Sequence, residues 1–151
     1  MSRDIYQEPL VSRYTSPAMQ RLFSDRTRFT TWRRCWLALA EAQYELGLTS
    51  LIDEAMLDEM RANIDNIDYD IAAAKEREIR HDVMAHVYEF GLKCPRAAGI
   101  IHLGATSQFV VCNTDLLVQK SAMELIRGAL LQVIANLARF CETHKGLATL
   151  G

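Results

Sequence analysis

Between Arg80 and Asp115 the chain concentrates groups that hold anions and move protons. It reads Arg80-His81-Asp82-Val83-Met84-Ala85-His86-Val87, then Gly99-Ile100-Ile101-His102-Leu103-Gly104-Ala105-Thr106-Ser107, then Asn113-Thr114-Asp115. Three of the four histidines fall in this stretch, beside an arginine, carboxylates and a pair of hydroxyls. Imidazoles titrate near neutral pH, and a guanidinium grips phosphate or carboxylate in fixed geometry. The set suits a polyanionic substrate and proton transfer.

Arg80-His81-Asp82 reads as a helix start, where free N–H groups and partial positive charge favour anions. Asp82 can cap that helix, or orient His81 and stabilise its imidazolium. The plain alternative is an ordinary cap beside a surface histidine. His81 and His86 are five residues apart, about 140° around a helix at roughly 100° per residue. They share no face, which speaks against a metal pair. His86 and His102 each sit among apolar neighbours and read first as packing histidines, with His102 able to bond a buried loop backbone. Gly104-Ala105-Thr106-Ser107 offers two hydroxyls and close backbone approach to one anion, a carboxylate being a suitable guest. Its alternative is a hydroxyl-rich turn. Ser107 as a nucleophile would need a nearby base that local spacing does not supply. Arg13-Tyr14 places a guanidinium beside a phenol, a weak phosphate-binding signal alone.

The elements that must position these groups are helical. Residues 1–15 read as irregular. Ser16-Pro17 caps a short helix reaching about Phe23. Ser24 or Asp25 caps a longer one ending near Leu46, with Gly47 as the stop. Along it Phe29, Trp32, Trp36, Leu39 and Leu46 form one apolar stripe, with Arg26, Arg28, Arg33 and Arg34 mostly off it. Residues 53–63 form another amphipathic helix, with Ala55, Met56, Leu57 and Met60 as its apolar side. Asn66 or Asp68 caps a third toward Ile79. Asp82 caps a fourth, Val83 to Phe90, stopped by Gly91 and Pro95. Residues 94–112 read as a buried loop with at most one short helix or extended piece. Asn113-Thr114-Asp115 then opens a helix to about Lys145, on the order of 45–50 Å long. Its stretch from Arg127 to Arg139 has no charge between those two arginines and is apolar on most sides. It must be covered on most sides, which points to a larger bundle shared between subunits. With no strand-rich alternation, GxGxxG or P-loop, the class is all-α.

Composition narrows the function classes. The chain of 151 residues is half hydrophobic with a net charge of −2, so it can build a core and does not favour generic nucleic-acid binding. Residues 1–34 carry seven arginines against three acids, and the remainder is acidic. That basic front is either a solvated surface or a source of one or two arginines for a substrate phosphate. Cys35, Cys94, Cys112 and Cys141 show no CxxC spacing and fit a reducing compartment. Residues 1–10 have no apolar leader region, and the longest uncharged helical run is too short to span a bilayer. The expectation is a cytoplasmic protein with no membrane partner.

Three strings carry a family resemblance: SRY at Ser12–Tyr14, RHDVMAHV at Arg80–Val87, and GIIHLGATSxxVxxNTD from Gly99 to Asp115. They resemble the adenylosuccinate lyase family of the fumarase/aspartase superfamily, and the likeness runs over essentially the whole chain. The resemblance implies a β-elimination that cleaves adenylosuccinate to AMP and fumarate. It also implies cleavage of the succinylated aminoimidazole carboxamide ribotide of purine synthesis, without metal or organic cofactor. By matching position, Arg13 and Tyr14 would hold the substrate phosphate. Arg80, His81 and Asp82 would line the nucleotide side, with His81 as the catalytic candidate. Thr106 and Ser107 would bind the succinyl carboxylate. The family is a homotetramer whose sites draw residues from three subunits. Its members are far longer, so residues 1–112 are expected as an N-terminal helical domain and 113–151 as the start of the first long bundle helix. The chain ends before the family's second histidine, its serine-bearing loop and its signature lysine and asparagine, and such a fragment is expected to be inactive alone.

Two rivals remain. One is another lyase of the superfamily, such as one acting on argininosuccinate, or a cycloisomerase; a phosphate-free substrate would leave Arg13-Tyr14 without a task. The other is a helical assembly module with no catalytic role.

Overall fold

The computed structural model describes residues 8–148 and Leu150. Among them there are helices and turns and no strand, so the protein is all-α. A π-helical turn, Leu10–Tyr14, leads into α1 (Pro17–Leu22), α2 (Asp25–Glu45), α3 (Glu54–Ala62), α4 (Tyr69–Ile79), α5 (Asp82–Lys93) and α6 (Ser107–His144).

Short polar side chains start these helices by accepting otherwise unpaired N–H groups. Ser16 accepts from Met19 N at 3.2 Å and Ser24 from Thr27 N at 3.3 Å. Asp53 accepts from Met56 N at 2.9 Å and Asp68 from Ile71 N at 3.1 Å. Gly47 adopts φ +63° just after α2, a left-handed turn that glycine makes without strain.

The core lies where α2, α3, α5, the 94–101 turn and the first part of α6 meet. Trp32 and Trp36 of α2 anchor it against Leu57, Met60, Val83 and Phe90. The expected stripe on α2 holds at Trp32 and Trp36, with Phe29 packed against them. Leu46, at the helix end, is 71% exposed. On α3, Leu57 and Met60 are buried while Ala55 is exposed.

Several expectations need correction; residues 10–14, read as irregular, form the π-helical turn. The last helix begins at Ser107, not Asn113. Val110 is fully buried and Phe109 and Val111 pack on the core, so tertiary packing overrides the weak helix preference of a β-branched run. Asn113 is inside the helix and donates from Nδ2 to Phe109 O at 2.6 Å. Gly91 does not stop α5, which runs on to Lys93. A Cβ at Gly91 would stand 3.3 Å from Ala98 Cβ, so glycine there serves close approach of the following turn. Arg33 is not a surface arginine. It is 1% exposed and ion-paired with the fully buried Glu89 of α5.

That pair is fully furnished with partners. Arg33 also donates to the carbonyls of Asn63 and Asn66, the latter at 3.0 Å, and its guanidinium stacks 4.4 Å from the Phe90 ring centre. Glu89 accepts the Asp68 N–H at 2.9 Å. One buried pair thus joins α2, α5 and the α3–α4 connection. Stranding either charge would be costly.

Beyond Ala122, every described residue of α6 is exposed, including Leu130, Val133, Ile134, Leu137 and Phe140. The helix is apolar on most sides there, as its sequence indicates. No helix of the described residues is long and apolar enough to cross a membrane.

Candidate functional site

Arg80 closes α4 in the left-handed conformation, φ +53°, and turns the chain into α5. A non-glycine residue there is strained, so packing of α4 on α5 must hold it. His81, not Asp82, is the N-cap of α5: its Nδ1 accepts the Met84 N–H at 3.4 Å. Asp82 stands one position later, and its Oδ1 accepts the Val83 N–H at 2.8 Å. His81 takes the cap because the extended backbone at its position aims the ring over the first turn. Neutral His81 with an accepting Nδ1 carries its proton on Nε2, where it can donate outward.

Asp82 lies between two basic groups. Its carboxylate is 3.7 Å from His81 Nδ1 and 3.5 Å from Arg28 Nη2, all three partly exposed. Arg28 in turn lies over the Trp32 and Phe29 rings, at 4.9 and 5.4 Å. The arginine–tryptophan spacing of four along α2 is a local signal for this stacking; the partnership with Asp82 has no local signal.

Helix α2 also holds the glycine-flanked turn. Trp36 Nε1 donates to His102 Nδ1 at 2.9 Å, and Gln43 Nε2 donates to Leu103 O at 3.0 Å. Seven residues apart, these donors share one face of the helix. His102 adopts φ +68° and Gly104 φ +72°. The partner of His102 is therefore an indole rather than loop backbone. Burial lowers the His102 pKa, and the nearby charge of His81 adds to the effect, so the two imidazoles are within electrostatic reach. His86 is a packing histidine: it stacks on Phe29 with ring centres 3.8 Å apart. Burial, aided by Arg33, lowers its pKa to about 4.

Thr106 caps α6 without a side-chain cap bond, and Ser107 occupies the first helical position. Neither hydroxyl is committed to a hydrogen bond among the described residues. Two uncommitted hydroxyls at the head of a long helix, with its free N–H groups, form an anion-accepting arrangement. Arg13 and Tyr14 sit in the π-helical turn, both exposed. Gln20 ties that turn to α1 by donating to Val11 O at 2.8 Å. No hydrogen bond or ion pair among the described residues joins Arg13 or Tyr14 to Arg80, His81, Asp82, Thr106 or Ser107. The structure thus brings together His81, Asp82 and Arg28, ties the His102 turn to α2 through Trp36, and leaves Arg13-Tyr14 on a separate element.

Among the described residues no three His, Cys, Asp or Glu side chains cluster as metal ligands would. The arrangement offers a helix-capping imidazole, a carboxylate–guanidinium pair and a hydroxyl-bearing helix head. These are means of gripping anionic groups and presenting a proton.

No family model matches the chain. It is similar to the adenylosuccinate lyase of Saccharomyces cerevisiae, at 51% identity over 98% of this chain and 31% of that protein. Its identity to the adenylosuccinate lyase of Schizosaccharomyces pombe is 47%, over 97% of this chain and 30% of that protein. With that of Schistosoma mansoni it is 43%, over 96% and 30%. The chain spans about 30% of the length of the curated relatives it matches.

Proposed function

Because the chain is homologous to adenylosuccinate lyases over nearly all of its length, we propose that it forms the anion-gripping part of such an enzyme. The reaction is β-elimination from adenylosuccinate and from the succinylated aminoimidazole carboxamide ribotide. A base takes the Cβ proton beside a carboxylate, the C–N bond breaks, and an acid returns a proton to the departing nitrogen. The products are fumarate and AMP, or fumarate and the carboxamide ribotide. The intermediate is a carbanion spread into the carboxylate, and it demands positive charge and hydrogen-bond donors.

In this reading Thr106 and Ser107 hold the succinyl carboxylate. Arg80, His81 and Asp82 line the nucleotide side, with Nε2–H of His81 directed to substrate. Arg13 and Tyr14 receive the phosphate, reaching the site from their own element or from another subunit's copy. The chain covers only about 30% of the length of its relatives, and the family resemblance assigns further proton-transfer groups to the part it does not cover. Residues 1–112 are the N-terminal domain, and 113–151 lie in the first long bundle helix. The exposed apolar sides of that helix favour a homotetramer. Four unpaired cysteines fit the cytoplasm.

The observation that carries the reading is sustained identity across the whole chain rather than at one motif. The test is fumarate release from adenylosuccinate by the full-length enzyme that carries this chain. His81→Ala and Ser107→Ala should each lower kcat/KM by at least about tenfold, as for lost transition-state contacts. Full turnover in both variants would leave a helical assembly module as the better account. Release from argininosuccinate instead would move the protein to the other lyase.

A further inference from the structure

We propose that α2 carries a second anion site, separate from the His81 set and flanked by Asp65 on one side and by α6 on the other, for a phosphate monoester bearing a flat apolar group. Arg28 and Arg33 of α2 are paired with Asp82 and Glu89. Arg26 and Arg34 are exposed and have no carboxylate in ion-pair range among the described residues. Positions 26, 27, 30, 31 and 34 fall on one helix face, and none of them is apolar. Arg26, Thr27, Thr30, Thr31 and Arg34, with Asp65 opposite, line a cavity of about 210 Å³.

The hydroxyl protons there are already used. Thr27 donates to Arg21 O at 2.6 Å, Thr31 to Thr27 O at 2.7 Å, and Thr30 to Asp65 Oδ1 at 3.3 Å. The donors left for a ligand are the two guanidinium forks. Two cations facing one carboxylate leave net positive charge, in a chain whose own net charge is −2. Guanidinium forks match phosphate oxygens in bidentate geometry, and a dianion answers both.

The ligand is more than a bare anion because the cavity continues. A neighbouring hollow of about 330 Å³ shares Thr27, Thr31 and Arg34 and adds Leu22, Leu117, Val118 and Ser121. It reaches the roughly 300–1,000 Å³ typical of small-molecule pockets. An anionic head at the arginines and an apolar body on Leu22, Leu117 and Val118 fill both parts.

Calorimetric titration of the intact protein with phenyl phosphate and with inorganic phosphate tests this. Phenyl phosphate should bind about tenfold more tightly than inorganic phosphate, since it alone reaches the apolar wall. Arg26→Gln/Arg34→Gln should weaken phenyl phosphate binding at least about tenfold, while Arg13→Gln leaves this binding event unchanged. Added salt should weaken it as well. An unchanged Kd in the Arg26→Gln/Arg34→Gln protein would overturn the site. Equal binding of the two probes would overturn the monoester assignment. Should the glutamine pair fail to fold, Arg26→Lys/Arg34→Lys keeps the charge but removes the forks; a weakened Kd supports the site and an unchanged one overturns it. None of these readings depends on the lyase assay.

Discussion

Trp36 of α2 donates its indole N–H to Nδ1 of His102 across 2.9 Å, joining two residues 66 positions apart. The bond sets the tautomer: with Nδ1 accepting, neutral His102 keeps its proton on Nε2. It also helps hold a histidine in the left-handed conformation at the entrance to the Thr106-Ser107 turn.

Trp36→Phe keeps most of the packing volume and removes the donor. The expected cost is about 1–3 kcal/mol, the range for stranding a partly buried acceptor. Denaturant midpoints measure it. Nitrogen-15 shifts of His102 should show loss of the single-tautomer pattern, and retention of that pattern would mean another group fixes the ring.

His86 should make the protein acid-sensitive. Its folded pKa of about 4 lies below the ordinary histidine value of about 6.5. Above the unfolded value neither state binds a proton there, so the histidine contributes nothing to pH dependence. As pH falls from about 6.5 toward about 4 the unfolded state gains a proton that the folded state refuses, so stability drops, by up to about 3 kcal/mol. Unfolding free energies at several pH values, compared between the parent protein and His86→Gln, isolate this contribution. Equal slopes in the two proteins would refute it.

The Arg33–Glu89 pair should show strong coupling. Glu89→Ala leaves a guanidinium uncompensated in the core and should cost about 3–5 kcal/mol. Removing both charges, as Arg33→Met/Glu89→Leu, should cost less than the two single changes added together, with a coupling of at least about 1 kcal/mol. Additive losses in a double-mutant cycle would show that the pair matters only through its separate bonds to the Asn63–Asp68 connection.

Capping and chemistry at His81 can be separated. Asparagine is a good N-cap, so His81→Asn should hold stability within about 0.5 kcal/mol of the parent, whereas His81→Ala should lose about 1 kcal/mol. Fumarate release, if His81 meets substrate, should fall at least about tenfold in both. Activity that tracks stability across the two variants would reduce His81 to a cap.

The outer part of α6 should drive self-association. Leu130→Glu with Ile134→Glu places charge on two exposed apolar positions one turn apart. Sedimentation velocity should show a smaller assembly than the parent protein forms. An unchanged sedimentation coefficient would mean that this side of α6 is not an interface.

Most of the helices could be read directly from the chain because their signals are local. Ser16-Pro17, Ser24, Asp53 and Asp68 accept N–H groups within their own first turns, and Trp32 and Trp36 repeat at helical spacing. The string around His81 was likewise legible as a helix start, whereas Thr106-Ser107, read as a hydroxyl-rich turn, stands at the head of α6. What local signals could not decide was which competing arrangement wins. Six more residues joined α6 because Val110 finds a buried place against the core. Asp82 lost the cap to His81 because the backbone at position 81 is extended and holds the ring over the turn. Arg33 reads as one of four arginines mostly off the apolar stripe, and only Glu89, 56 residues away, with the Asn63 and Asn66 carbonyls makes its burial tolerable. Pairings of that separation depend on how helices pack in three dimensions, and no periodicity within one helix encodes them.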